Sequence, residues 1–150
     1  ADDDLSSLLS KVGIFKQFPV QEKIRLAVEV LRGVARIANE GFAHLDIRPE
    51  NILLFGDCKD PKSCHVKIAD FGNAIRRNRA RGSRGITGTR WYIAPEIWAG
   101  SGATSKSDVW SAGILLYQLF VGGLPDEFYN FVTRDDQDFA AYIGCRFDIR

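Results

Sequence analysis

Two short β-type runs, Asn51-Ile52-Leu53-Leu54-Phe55 and His65-Val66-Lys67-Ile68, flank a polar stretch that contains Gly56, Asp57, Asp60 and Pro61. That pattern specifies a hairpin with a long loop. Its consequence is strong, because antiparallel strands return the chain to the edge it left. Whatever stands just outside the two runs is therefore brought together. Before the first comes His44-Leu45-Asp46-Ile47-Arg48-Pro49-Glu50-Asn51, and after the second comes Asp70-Phe71-Gly72. The carboxamide at 51 and the carboxylate at 70 are therefore expected to meet at one edge.

Around this hairpin the pattern is mainly helical. Leu5, Leu8 and Leu9 suggest a short amphipathic helix behind Asp residues that favour its N-terminus. Ile24, Val28, Leu31, Ala35 and Ala38 recur at helical spacing and are expected to face inward, with Glu22, Arg25, Glu29, Arg32 and Arg36 outward. Asn39-Glu40-Gly41 should end that helix, Gly41 serving as a left-handed cap. A further helix is expected from Thr104 to Val121, with Trp110, Ile114, Tyr117 and Val121 on one face, and a last one around Asp135 to Ile143. Residues 73 to 88 have no periodicity. Their arginines at 76, 77, 79, 81 and 84 would suit an acidic partner, although a solvated mobile loop explains them as well.

One hundred and fifty residues with 45% apolar and 26% charged side chains suit one globular domain, and a net charge of +1 gives no reason to expect a nucleic-acid partner. The longest apolar stretch, Val109 to Leu124, is too short to span a bilayer, so no membrane segment is expected. Cys58, Cys64 and Cys145 have no metal-ligand spacing and are expected as reduced thiols in an intracellular, cytoplasmic protein; a Cys58–Cys64 bridge across the hairpin tip is the alternative in a secreted one. Ala1-Asp2-Asp3-Asp4 lacks the basic and apolar regions of a signal peptide.

The run from His44 to Asn51, then Asp70-Phe71-Gly72, then Ala94-Pro95-Glu96 resembles the catalytic loop, the metal-binding motif and the end of the activation segment of protein kinases, in the order kinases have them. Any one of these residues alone has an ordinary reading: Asp46 a loop carboxylate, Asn51 a strand cap, Asp70 a turn residue. Together they point to a kinase. The resemblance implies a mainly α fold with a small β-hairpin, a kinase C-lobe without an N-lobe. It spans residues 1–150, with catalytic loop 44–51, activation segment 70–96 and central helix at about 104–121. Pro49-Glu50-Asn51 behind the cation at Arg48 resembles the serine/threonine class, which implies a protein substrate with a Ser or Thr hydroxyl.

By the same resemblance, Asp46 is the base that takes the hydroxyl proton, and Asn51 and Asp70 hold Mg²⁺. Arg48 and Thr89 steady the transferring phosphate and the loop. Glu50 and Leu53 lie toward the nucleotide, Leu53 beneath the adenine of ATP. The Asp of Asp108-Val109-Trp110-Ser111-Ala112-Gly113 is expected to hold the catalytic-loop backbone.

Three departures stand out. Leu45 replaces the usual arginine and Arg48 the usual lysine, whose contact to phosphate a longer planar fork makes differently. Nothing before His44 resembles the ATP-clamping lobe. As a kinase fragment, the isolated chain is expected to have little or no activity, and Glu96 to lack its customary arginine. The alternative is a pseudokinase or scaffold that uses this lobe for protein binding; retention of Asp46, Asn51 and Asp70 speaks against it. Because leucine cannot pair with a phosphate, phosphorylation of Ser83 or Thr87 should not switch activity through the catalytic loop. Phosphotransfer rates of the full-length protein with and without those phosphates check this, and strong phosphate-dependent activation would contradict it.

Overall fold

The computed structural model describes residues 3–10, 18–76 and 88–124. Helix α1 (Leu5–Ser10) starts where the Asp4 carboxylate accepts the Ser7 N–H at 2.8 Å, and buries Leu5 and Leu8. Helix α2 (Val20–Asn39) follows Pro19 and ends at Gly41, whose φ of 79° is the expected left-handed stop. The short strand β1 (Phe42–Ala43) pairs with β4 (Ile75–Arg76), which occupies part of the stretch read as loop. Strands β2 (Ile52–Phe55) and β3 (His65–Ile68) form the expected antiparallel hairpin, with Ile52 opposite Ile68 and Phe55 opposite His65.

The short helix α3 (Pro95–Trp98) leads to α4 (Ser105–Val121). A reciprocal cap opens α4: the Thr104 hydroxyl accepts the Lys106 N–H, and the Ser107 hydroxyl accepts the Thr104 N–H, both at 3.1 Å. Among the described residues no helix is long and apolar enough to cross a membrane. The helix expected around Asp135 to Ile143, Cys145, Ser83, Thr87 and the arginines at 77, 79, 81 and 84 lie outside the described residues.

One core joins these elements. Leu26, Ala27, Val30 and Val34 of α2 pack with Ala112, Leu115 and Leu119 of α4, with Ile52, Leu54 and Val66 of the hairpin, and with Ile47 and Tyr92. Both helix faces differ from the expected ones. In α2 the inner stripe is Leu26, Ala27, Val30, Val34 and Ile37, whereas Val20, Ile24, Val28 and Leu31 are exposed. In α4 the buried face is Ser107, Asp108, Ser111, Ala112, Leu115 and Leu119, whereas Tyr117 and Val121 are exposed. Apolar residues line more than one side of each helix, so the packing partners decide which side is covered.

Arg25 and Glu29 are also not on a free outer face. They tie α2 to the tip of the hairpin. Arg25 donates through Nη2 to the carbonyls of Pro61 (2.8 Å) and Cys64 (2.6 Å), and through Nη1 to Glu29 (2.8 Å). Glu29 in turn accepts the Val66 N–H at 2.9 Å and contacts His65 Nδ1 at 2.9 Å. The cysteines too differ from expectation: Cys58 and Cys64 are disulfide-bonded, their Cα atoms 4.4 Å apart across the loop. That separation lies within the range a bridge requires.

Burial alone pushes the Glu29 carboxyl up, but the Val66 N–H, His65 and Arg25 together outweigh it, so the group sits below its ordinary 4.5. A carboxyl depressed by folding adds stability that is present above its unfolded pKa and is lost as pH falls through the folded one. Denaturant midpoints should therefore fall on acidification below 4.5. Glu29→Gln should flatten that acid limb while lowering stability near neutrality; an unchanged limb in the variant would rule out this contribution.

Candidate active site

The turn from β1 into residues 44–51 is fixed by a buried carboxylate. Asp108, on the first turn of α4, accepts the N–H of His44 at 2.7 Å and the N–H of Leu45 at 2.8 Å. Burial pushes its carboxyl above the ordinary range, and these two N–H groups pull it partly back. They hold Leu45 at φ 66°, a left-handed conformation that costs a residue with a side chain about 1–2 kcal/mol. The Leu45 side chain is itself buried. Gly88 closes over this turn at φ 110°, where a Cβ would stand 2.7 Å from the Leu45 carbonyl oxygen. Only glycine lets the returning segment come so near.

His44 joins the two motifs. Its Nδ1 lies 3.3 Å from the Asp46 N–H and its Nε2 lies 3.0 Å from the Ala69 carbonyl. Since Nδ1 accepts, the ring proton sits on Nε2 and is donated to Ala69, the residue before Asp70. Phe71 stacks edge-on against the same ring, centroids 4.8 Å apart. From the other side, the Ala69 N–H donates to the Asn51 carbonyl at 2.9 Å. The hairpin therefore returns the chain beside Asn51. Asp70 adopts φ 59°, which aspartate tolerates, and its Oδ1 accepts the Gly72 N–H at 3.1 Å.

Asp46 is at the centre of a four-residue knot. Its Oδ2 accepts from Asn51 Nδ2 at 3.0 Å, and the same nitrogen donates to the Asp46 carbonyl at 2.8 Å. Its Oδ1 accepts from the Thr89 N–H at 3.3 Å and the Thr89 hydroxyl at 3.2 Å. The Thr89 hydroxyl in turn accepts from Arg48 Nη1 at 2.5 Å. With its NH₂ group turned to Asp46, Asn51 keeps its side-chain oxygen Oδ1 without a donor among the described residues.

The structure thus brings Asp46, Arg48, Asn51 and Thr89 into direct contact and sets Asp70 one residue beyond a bond to Asn51. Glu50 is exposed, its Oε2 3.6 Å from Arg48 Nε. Leu53, half-buried on β2, bridges to Asp4. Glu96 is not left without a partner: the Ser107 hydroxyl donates to its Oε1 at 2.6 Å. The positioning by His44 was not apparent from spacing, since a ring that serves two backbone groups leaves no periodic trace.

Comparison with known proteins gives the same class. The chain matches the protein kinase domain family over residues 1–140. It is 37% identical over 132 residues to "3-phosphoinositide-dependent protein kinase B" of Dictyostelium discoideum, an alignment that covers 85% of this chain and 14% of that protein. It is likewise 37% identical over 118 residues to a "Probable serine/threonine-protein kinase pknA2" of Bifidobacterium longum, across 77% of this chain and 15% of that one. A chain of the solved yeast RNA Pol II CTD kinase CTDK-1 complex superposes with a TM-score of 0.77 at 26% identity, covering 96% of this chain and 43% of that chain.

The chain belongs to the protein kinase domain family, and its relatives include serine/threonine kinases. It spans less than a fifth of the length of these two curated relatives.

Asp108→Asn tests what holds the loop. It turns one acceptor oxygen into an NH₂ group facing a backbone N–H, leaving that donor unsatisfied at a cost of about 1–3 kcal/mol. Urea unfolding should show the loss, and a variant as stable as the parent would remove the clamp from this account.

Proposed function

We propose that this chain carries the catalytic and metal-holding residues of a protein serine/threonine kinase that transfers the γ-phosphoryl group of ATP to a Ser or Thr hydroxyl of a protein. The observation that carries the reading is the knot Asp46–Asn51–Thr89–Arg48 next to a hairpin that returns Asp70. Such transfer needs little covalent chemistry from the protein and much positioning.

Asp46 is the base. Thr89 on one carboxylate oxygen and Asn51 on the other fix the plane of the group, so its remaining lone pairs meet the incoming hydroxyl in a set direction. Arg48, held by Thr89 on the same side, presents its guanidinium to the transferring phosphate.

Kinases generally use ATP with Mg²⁺, and the donor set here fits a hard cation. Among the described residues no three His, Cys, Asp or Glu side chains form a metal cage of their own. Asn51, through its side-chain oxygen, and Asp70, through its carboxylate, would instead hold the ion. Mg²⁺ so held would neutralise charge on the phosphates. Leu53 offers an apolar surface to the adenine ring, and Glu50, paired with Arg48, belongs to the nucleotide side.

Asp46→Asn keeps the shape but removes the base, and kcat should drop by about 10²–10⁴-fold with KM little changed. Asp70→Ala should abolish Mg²⁺-dependent nucleotide binding measured by titration calorimetry on the full-length protein. Equal activity of parent and Asp70→Ala would remove the metal assignment. Absence of nucleotide binding in the parent would favour the scaffold.

A further inference from the structure

The end of the β2–β3 hairpin opposite the knot carries chemistry that phosphoryl transfer does not use. Cys58 and Cys64 are bridged there across a loop of six residues' separation. The two sulfurs have different surroundings. Cys64 is completely buried and part of the hydrophobic core, whereas Cys58 is half-buried and packs against that core from outside. The bridge is not the loop's sole tie. The strands are in register over four residue pairs, Arg25 grips the carbonyls of Pro61 and Cys64, and Glu29 holds the Val66 N–H. Asp60 adds its own turn by accepting the Lys62 N–H at 3.1 Å and the Ser63 hydroxyl at 2.7 Å.

We infer that Cys58 and Cys64 form a reversible thiol–disulfide modification site whose exchange partner is a low-molecular-weight thiol of the glutathione class. Held by these contacts, the backbone sets the two Cα atoms 4.4 Å apart. Closure is then intramolecular and fast. The exposure difference sets the order of events. In oxidation, the Cys58 thiolate attacks one sulfur of the oxidised glutathione disulfide, forming a mixed disulfide and releasing one glutathione thiolate. Cys64 then gives up its proton and attacks the Cys58 sulfur, expelling the second glutathione.

The balance is one protein dithiol plus one glutathione disulfide to one protein disulfide plus two glutathione thiols. Reduction runs the same steps backwards, with the incoming thiolate attacking Cys58, the sulfur that can be reached, and Cys64 leaving. Closing the bridge tightens the far end of the hairpin whose near end carries Asn51 and Asp70. The site stands independently of the phosphoryl-transfer reading.

The test is equilibration of the natively folded full chain in buffers of varied reduced-to-oxidised glutathione ratio, acid quenching, alkylation and tryptic mapping. Cleavage after Lys59 and Lys62 leaves the peptides with Cys58 and Cys64 joined only by the bridge. The linked peptide should appear and disappear along a single two-electron curve without denaturant. A pair that stays bridged in excess reduced glutathione until urea is added, or that stays as two thiols in excess oxidised glutathione, overturns the inference. In Cys58→Ser, which leaves the buried Cys64 in place, Cys64 should take up no glutathione. Its ready modification in that variant would overturn the assigned order. Hydrogen exchange at the Val66 amide should be several-fold slower in the bridged form, and equal rates would overturn the tightening.

Discussion

Everything around the candidate active site depends on one buried carboxylate accepting two backbone N–H groups. Asp108 is buried where an uncompensated charge would be costly, and the amides of His44 and Leu45 are what compensate it. The pair of bonds is also what keeps Leu45 in a left-handed conformation that its side chain opposes. From that forced turn follow the direction of the chain through Asp46, the fit of Gly88 over the Leu45 carbonyl and the arrival of Thr89 at the Asp46 carboxylate. Strain in the backbone is stabilised by electrostatics from a helix more than sixty residues further along the chain.

Asp46, Asn51 and Asp70 stand out in the sequence because the roles proposed for them demand particular atoms. A base needs a carboxylate, a hard cation needs carboxylate and amide oxygens, and neither tolerates substitution by shape alone. The hairpin made their convergence legible as well, and the observed strands differ from the two runs only in starting β2 at Ile52. What spacing could not show is the second layer. His44 acts through one ring nitrogen on Asp46 and through the other on Ala69. Ser107 reaches Glu96, and Ser111 reaches the Tyr92 carbonyl at 2.7 Å. These are contacts between distant elements, and nothing local in the chain marks them.

The helix faces show the limit of periodicity most clearly. On α2 two apolar stripes run side by side, one through Leu26, Val30 and Val34 and the other through Ile24, Val28 and Leu31. Both have helical spacing, so the pattern alone does not choose, and two of the charged residues beside them, Arg25 and Glu29, engage the hairpin loop and so do not mark a solvent face. On α4 the usual assumption reverses. Asp108 is buried because it bonds His44 and Leu45, Ser111 because it bonds Tyr92 before α3, and Ser107 because it bonds Glu96 of α3, while Val109, Phe120 and Val121 are exposed. Polar positions are inside here for chemical reasons that a hydrophobicity argument does not weigh. The bridge between Cys58 and Cys64 follows from the nearness of the two ends of the loop, which an argument from compartment does not weigh.

The four-pair register of the hairpin carries a consequence for how such a chain can vary in length. One extra residue in either strand would invert its alternation, turning Val66 out of the core and Lys67 into it, and would displace Asp70 relative to Asn51. Between residues 56 and 64 no such parity applies, since that end is remote from the chemistry and is tied by side chains that a longer loop can bypass. Added residues are therefore best tolerated at the tip, where the chain can acquire new surface without disturbing the distance between its two oxygen-bearing ends.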